Sequence, residues 1–353
     1  MKFDILGRAG ASALLIAALA VPLAGQQEYG LSGDEVAIYN LAGTAEIVRG
    51  SGSEVVVRVR RGGDDAAQLD VEVDRIDGRE SLRIVYPDSR ILYPELGRRS
   101  ETTVRVSSDG TFHGNRRGDR VTIAGSGRGL EAWADLEIMI PDGTSVSVYL
   151  AAGATDARGI EGDLTIDTGA GRVTAMDITG SLNVDTGSGS VEVRNVTGDV
   201  LVDTGSGSVD INDVRGDEVD VDTGSGGVEG SGITANRVNI DTGSGGIEIS
   251  DVRSPDVYLD TGSGSVTVEL LRDVDNLEVD TGSGSVTVTL PTDAGAEIDI
   301  ETGSGGIDLD FPVTVRRASK DHVVGRVGDG RGRIHIDTGS GSIRFLRGRA
   351  AVR

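Results

Sequence analysis

Between residues 164 and 346 apolar and polar side chains alternate with period two, in short runs broken by glycine and serine. Leu182, Val184, Val191, Val193 and Val196 are apolar, and Asn183, Asp185, Glu192 and Arg194 between them are polar. This is the signature of half-buried strands on either side of a tight turn. The following stretch overlays it, with Val200, Val202, Val209, Ile211 and Val214 on the same sites. If Val184 and Val202 face an interior, Asp185 and Asp203 point outward.

The turns share a phrase, D-T-G-S-G-S with small variations, which starts at Asp167, Asp185, Asp203, Asp222, Asp241, Asp260, Asp280, Glu301 and Asp337. Steps of 18 to 21 residues separate the first eight, and 36 residues separate the last two. Periods of this size predict a solenoid, because one rung cannot bury its apolar face while stacked rungs can. The expected fold is all-β: a single-stranded parallel β-solenoid, or β-helix, right-handed by the crossover preference of parallel strands. The double step predicts one rung between Glu301 and Asp337 that has lost the phrase, and the same offset carried backwards puts a degenerate rung on Tyr149. About eleven regular rungs at ~4.8 Å make a rod of about 50 Å. Gly187 and Gly189 are expected at turn positions with positive φ.

Residues 1–25 read as a signal peptide, with Lys2 and Arg8 ahead of an apolar stretch from Ala9 to Ala24. No later stretch approaches the ~20 apolar residues of a membrane-spanning helix. Residues 26–143 form a less regular β region or cap, with strands such as Val55–Val57–Val59 and Leu82–Ile84–Tyr86, interrupted by a non-repetitive insertion over 87–129. Residues 144–346 are the repeat solenoid, and 347–353 a basic tail.

Four segments, "VAIYNLAGTAEIVRG", "IMIPDGTSVSVYLAAG", the repeated "G-x-L-x-V-D-T-G-S-G-S-V-x-V" and the closing "RIHIDTGSGSIRF", resemble the bacterial DUF4097 family, which carries the label of adhesin. The resemblance covers roughly residues 34 to 346. It implies an exported or membrane-associated β-solenoid without established enzymatic chemistry. This chain departs from the family in the regularity of its D-T-G rungs and in the 87–129 insertion.

Composition narrows the chemistry further. Across 353 residues there are no Cys, three His and one Trp, and the net charge is -23. Disulfides, thiolate metal sites and thiol nucleophiles are excluded, and so acidic a chain is not a nucleic-acid partner. The charge is uneven: residues 167–310 hold 29 Asp and Glu against 6 Arg, whereas 311–353 hold 10 basic residues against 3 Asp. Arg344, Arg347, Arg349 and Arg353 are expected to protect the last rung from edge-to-edge pairing. The expected partner is a cell-envelope or surface protein or polymer, and the expected address is the periplasm or cell surface.

"VDTGS" is also the phrase of aspartic proteases, where two Asp from two lobes share a proton across a two-fold axis. Nine copies along a rod make a column and not a facing dyad. The alternative enzymatic reading is a polysaccharide-acting enzyme of the parallel β-helix type, for which His113, Arg116, Arg117, Asp119 and Arg120 form the mixed cluster available. No cofactor and no catalytic residue are expected. Carboxylates stacked about 5 Å apart repel by roughly 1 kcal/mol per pair in water. Relief comes from turn hydrogen bonds to each Asp, from raised pKa values, or from calcium bridging Asp167, Asp185, Asp203, Asp222, Asp241, Asp260 and Asp280. The nine-residue repeat of calcium-binding β-rolls is missing, so turn capping is the expected relief.

Overall fold

The computed structural model describes residues 26–112 and 118–348. Residues 1–25, which read as a signal peptide, lie outside the described residues, as do His113, Arg116 and Arg117 of the mixed cluster and Arg349 and Arg353 of the tail. Each regular rung is two strands joined by the glycine-rich turn; Leu182–Thr186 runs into Val191–Thr197, for example. The first strand of every rung adds to one sheet and the second to another, giving sheets of 15 and 14 strands. Leu182, Val184, Val191, Val193 and Val196 are at most 1% exposed and belong to one aliphatic core shared by both sheets. The protein is thus a parallel β-solenoid with two principal faces.

Register is strict. Asp167 pairs with Asp185, then Asp203, Asp222, Asp241, Asp260 and Asp280 in turn, each flanked by paired aliphatics. The degenerate rung falls where it is expected, with Tyr149 opposite Asp167. Tyr39 lies opposite Tyr149, so the strand Glu35–Asn40 supplies a further rung from the irregular region.

The carboxy-terminal end differs from expectation. No phrase-less rung bridges Glu301 and Asp337. Instead the strand Gly332–Thr338 inserts between Asn276–Thr281 and Ala296–Thr302, so that Asp337 lies between Asp280 and Glu301. Its partner strand Ile343–Arg347 likewise separates Val286–Leu290 from Ile307–Leu309. Residues between form an antiparallel hairpin, Val313–Ala318 with His322–Val327, laid against Ala296–Thr302. The rung spacing of 36 residues therefore encodes a detour and an insertion. Arg344 and Arg347 consequently sit on an interior strand of the 14-stranded sheet, whose edge is the short strand Ile307–Leu309, and the edge of the 15-stranded sheet is guarded by Arg316 and Arg317 on Val313–Ala318. At the other end, antiparallel strands Gln26–Ser32 and Glu54–Gly62 close one sheet and Asp70–Ile76 closes the other.

The turn chemistry explains the repeated phrase. The Thr of D-T-G is buried in every rung from Thr168 to Thr338. From Thr204 to Thr261 its hydroxyl accepts the N–H of the glycine three residues on, at 3.1 Å for Thr204 and Gly207 and 3.0 Å for Thr223 and Gly226. From Thr223 onward it also donates to the glycine carbonyl of the adjacent rung, as with Thr242 to Gly226 and Thr261 to Gly245 at 2.8 Å. The same contacts follow the inserted strand, Thr338 to Gly284 and Thr302 to Gly341. A Cβ on Gly226 would collide with the Gly207 carbonyl, and the same holds along the column. Gly189 has φ 156°, as expected, but Gly187 is not at positive φ; a Cβ there would come 2.7 Å from the Gly169 oxygen. Close approach of stacked backbones, more than handedness, is what selects glycine.

The opposite strands bend once per rung at Asp177, Asn195, Asp213, Gly232 and Asp251, all with φ between 52° and 70°. Asp, Asn and Gly are the residues that tolerate this left-handed conformation, Asp and Asn because their short polar side chains bond locally. Asn195 donates to Asp177 at 2.5 Å.

Two substitutions separate structural roles. Val202 is fully buried, so Val202→Asp should cost several kcal/mol and lower the melting temperature sharply. Thr223→Val strands a glycine N–H and a carbonyl and should cost about 1–3 kcal/mol. The Thr168 hydroxyl has no hydrogen-bond partner among the described residues, so Thr168→Val should be neutral or slightly stabilising in the same denaturation experiment.

Candidate binding surfaces

The outward face of the aspartate-bearing sheet is a column of carboxylates one rung apart. Asp185, Asp203, Asp222, Asp241, Asp260 and Asp280 are all exposed on it. Partial burial against the flanking rungs, followed by repulsion from the neighbouring carboxylate, raises the pKa of Asp203, Asp222, Asp241 and Asp260. Asp185 repels Asp203, and Asp280 joins Asp241 in repelling Asp260. The turn hydrogen bonds go to the adjacent threonines Thr204, Thr223, Thr242 and Thr261 and not to these aspartates, so the repulsion shows as raised pKa values. Among the described residues no three His, Asp or Glu converge as a metal ion would need. The carboxylates stand side by side along the sheet, without the facing arrangement of a protease dyad.

The column ends where its chemistry changes. Tyr39 and Tyr149 occupy the aspartate position in the first two rungs and stack at 4.6 Å between ring centroids with an interplanar angle of 10°. They are only 6% and 5% exposed because the insertion folds over them. Arg90–Leu92, Glu101–Val106, Asp119–Ala124 and Leu130–Glu131 form a separate four-stranded sheet. Its Ile91, Tyr93, Phe112 and Ile123 make a second apolar core with both tyrosines. Burial, with the neighbouring Tyr149 next, pushes the Tyr39 hydroxyl up to about 12. Of the mixed cluster, Asp119 and Arg120 open an interior strand of this small sheet, cross-paired with Val106 and Arg105.

Between the insertion and the turns of the first regular rungs lies a cleft of about 700 Å³. Glu95, Arg99 and Glu101 line one wall, and Ala170, Arg172 and Ser188 the other. The Glu95 carboxylate accepts the Tyr93 hydroxyl at 3.0 Å, and Glu101 lies 3.7 Å from Arg90. These residues escaped the reading of motifs. One signal was present: the first phrase reads D-T-G-A-G-R, placing Ala170 and Arg172 where the rungs from Asp185 onward have Ser and then Ser or Gly. A second cleft, near 560 Å³, opens at the other end beside Arg316, Arg331, Arg333 and His335. There Arg316 pairs with Glu297 at 3.0 Å and His322 with Asp299 at 2.8 Å.

The model of the Toastrack DUF4097 family matches residues 95–345. Two solved structures align along most of the chain. One is a candidate cell adhesion protein from Clostridium sporogenes ATCC 15579, 11% identical, covering 92% of this chain and 99% of its own, with a TM-score of 0.23. The other is a candidate adhesin from Bacteroides fragilis NCTC 9343, 12% identical, covering 91% and 96%, with a TM-score of 0.36. Superposition this loose carries no inference about what the present chain binds. No curated protein matches it.

The raised aspartates fix the sign of a pH effect. Each binds its proton more tightly when folded than when unfolded, so protonation favours the native state. The contribution is complete below the ordinary aspartate range near ~4 and fades as the pH rises through the elevated native values. Asp109 and Asp321, whose pKa values are lowered by hydrogen bonds from Thr111 and Ser319, act in the opposite sense at lower pH. The melting temperature should therefore rise as the pH falls from about 7 to about 5. Replacing Asp203, Asp222, Asp241 and Asp260 together by Asn should raise it at pH 7 and flatten the profile. An unchanged profile in that variant would place the titration elsewhere.

Proposed function

The chain belongs to the Toastrack DUF4097 family, and from that premise we propose that it is an exported, non-catalytic scaffold that holds an adhesin-like binding surface in the cell envelope. The observation that carries this reading is the in-register column from Asp167 to Glu301. It offers one chemical group repeated rung after rung on a broad sheet face. Repetition at fixed spacing suits extended, multivalent contact, in which weak single contacts sum through effective concentration. Catalysis instead requires unlike groups converging on one reacting atom.

Export is supported by the composition of residues 1–25, a basic start followed by an apolar stretch. No described helix is long and apolar enough to cross a membrane. The insertion marks one end of the rod as distinct: it covers two rungs with its own apolar core and leaves the acidic column open beyond them. Charge gives the rod polarity, since the sheet faces are acidic while Arg316, Arg317, Arg331 and Arg333 gather at the carboxy-terminal end. Such asymmetry orients a rod relative to an anionic polymer or membrane surface.

The reading is tested by incubating purified protein with isolated envelope and with soluble acidic and neutral polysaccharides. Retention on the envelope that weakens as salt rises, with no release of reducing ends or unsaturated products, is the expected outcome. Turnover of any of these polymers at an appreciable rate would replace the scaffold by a polysaccharide-acting enzyme.

A further inference from the structure

The cleft between the insertion and the first regular rungs has the attributes of a ligand site on a rod otherwise built of repeats. Its volume, about 700 Å³, lies within the range of small-molecule sites and far exceeds what a lone inorganic anion fills. One wall is insertion, the other is solenoid. The solenoid wall is the place where the phrase departs from its repeat, from Ser-Gly-Ser to Ala170-Gly171-Arg172. Structural demands do not account for Arg172, because in every later rung the same register position holds Ser or Gly and the turn still forms.

Charge gives the ligand a sign. Arg99 from the insertion and Arg172 from the solenoid both line the cleft, and neither guanidinium has an ion pair or hydrogen bond with another described residue. Of the nearby carboxylates, Glu101 is paired with Arg90 at 3.7 Å, while Glu95 accepts the Tyr93 hydroxyl at 3.0 Å and keeps its charge. One arginine on each wall of the cleft is a lining suited to an anion, and Arg is the residue suited to planar carboxylates. Hydroxyls of Ser100, Thr102 and Ser188 line the same space, and Leu96, Ala154 and Ala170 give it small apolar patches. A carboxylate on a hydroxyl-rich ring meets all three features.

We propose that this cleft binds an acidic saccharide, its carboxylate held between Arg99 and Arg172 and its hydroxyls by the serine and threonine side chains. The proposal rests on the scaffold reading and gives that scaffold a ligand class.

Isothermal titration of the purified protein with trigalacturonate, with neutral galactotriose and with inorganic phosphate tests it. The acidic trisaccharide should bind and the neutral one should not. Arg172→Ser, which restores a residue found in other rungs, should weaken binding at least tenfold without changing the melting temperature. Arg99→Gln, on the other wall, should do the same. Phosphate binding as tightly as trigalacturonate would reduce the cleft to an anion site and overturn the saccharide assignment. Affinity unchanged in both variants, or abolished instead by Arg333→Ser at the far end, would overturn the location. In either case envelope retention by the parent protein would leave the scaffold reading standing, whereas loss of retention together with normal trigalacturonate binding would overturn that reading and keep the cleft.

Discussion

Stacked backbones meet at the turn, and that contact governs the molecule. The carbonyl of each turn glycine lies so near the corresponding glycine of the next rung that a Cβ there has no room, and from Gly207 on it accepts the buried threonine hydroxyl as well. A hydroxyl in this position satisfies a turn N–H and a neighbouring carbonyl together, and a buried polar group left unpaired would cost about 1–3 kcal/mol. Thr and Gly are therefore coupled choices. Once both are set, the rungs stack without slippage, since a shift of one residue would turn Val202 outward and Asp203 into the core.

The acidic face follows as a by-product of that register. Aspartates that the phrase places outward must stack on one another, and the fold accepts raised pKa values in four of them without turning them into a catalytic pair. Tyrosine in the same position reverses the outcome. Tyr39 and Tyr149 present an aromatic platform, the insertion docks on it, and the docking creates the cleft beside Arg172. A scaffold of identical rungs thus acquires a distinct place only where its repeat is broken. The carboxy-terminal break does different work. Inserting Gly332–Thr338 beneath the Ala296–Thr302 rung lets the hairpin of Val313–Ala318 and His322–Val327 cover the terminal strand.

Repetition made the solenoid legible, because alternation and period are local properties that read the same in every copy. From residues alone followed the parallel strands, the inward Val184 and Val202, the outward aspartates and the rung on Tyr149. Three things could not be settled from local pattern. The 36-residue step between Glu301 and Asp337 fits a lost rung and an inserted one equally well as arithmetic, and only the pairing of Asp337 with both Asp280 and Glu301 separates them. The role of threonine depends on an oxygen one rung away, so it hid behind the aspartate beside it. The cleft joins Arg99 to Arg172 across 73 positions of chain through the docking of an insertion, and its trace in the sequence is one broken phrase. Period and side-chain polarity decide which face of a strand is buried. Tertiary structure alone decides which rung lies next to which, because any two rungs carrying the same phrase are equally good neighbours until the chain's ends and insertions choose between them.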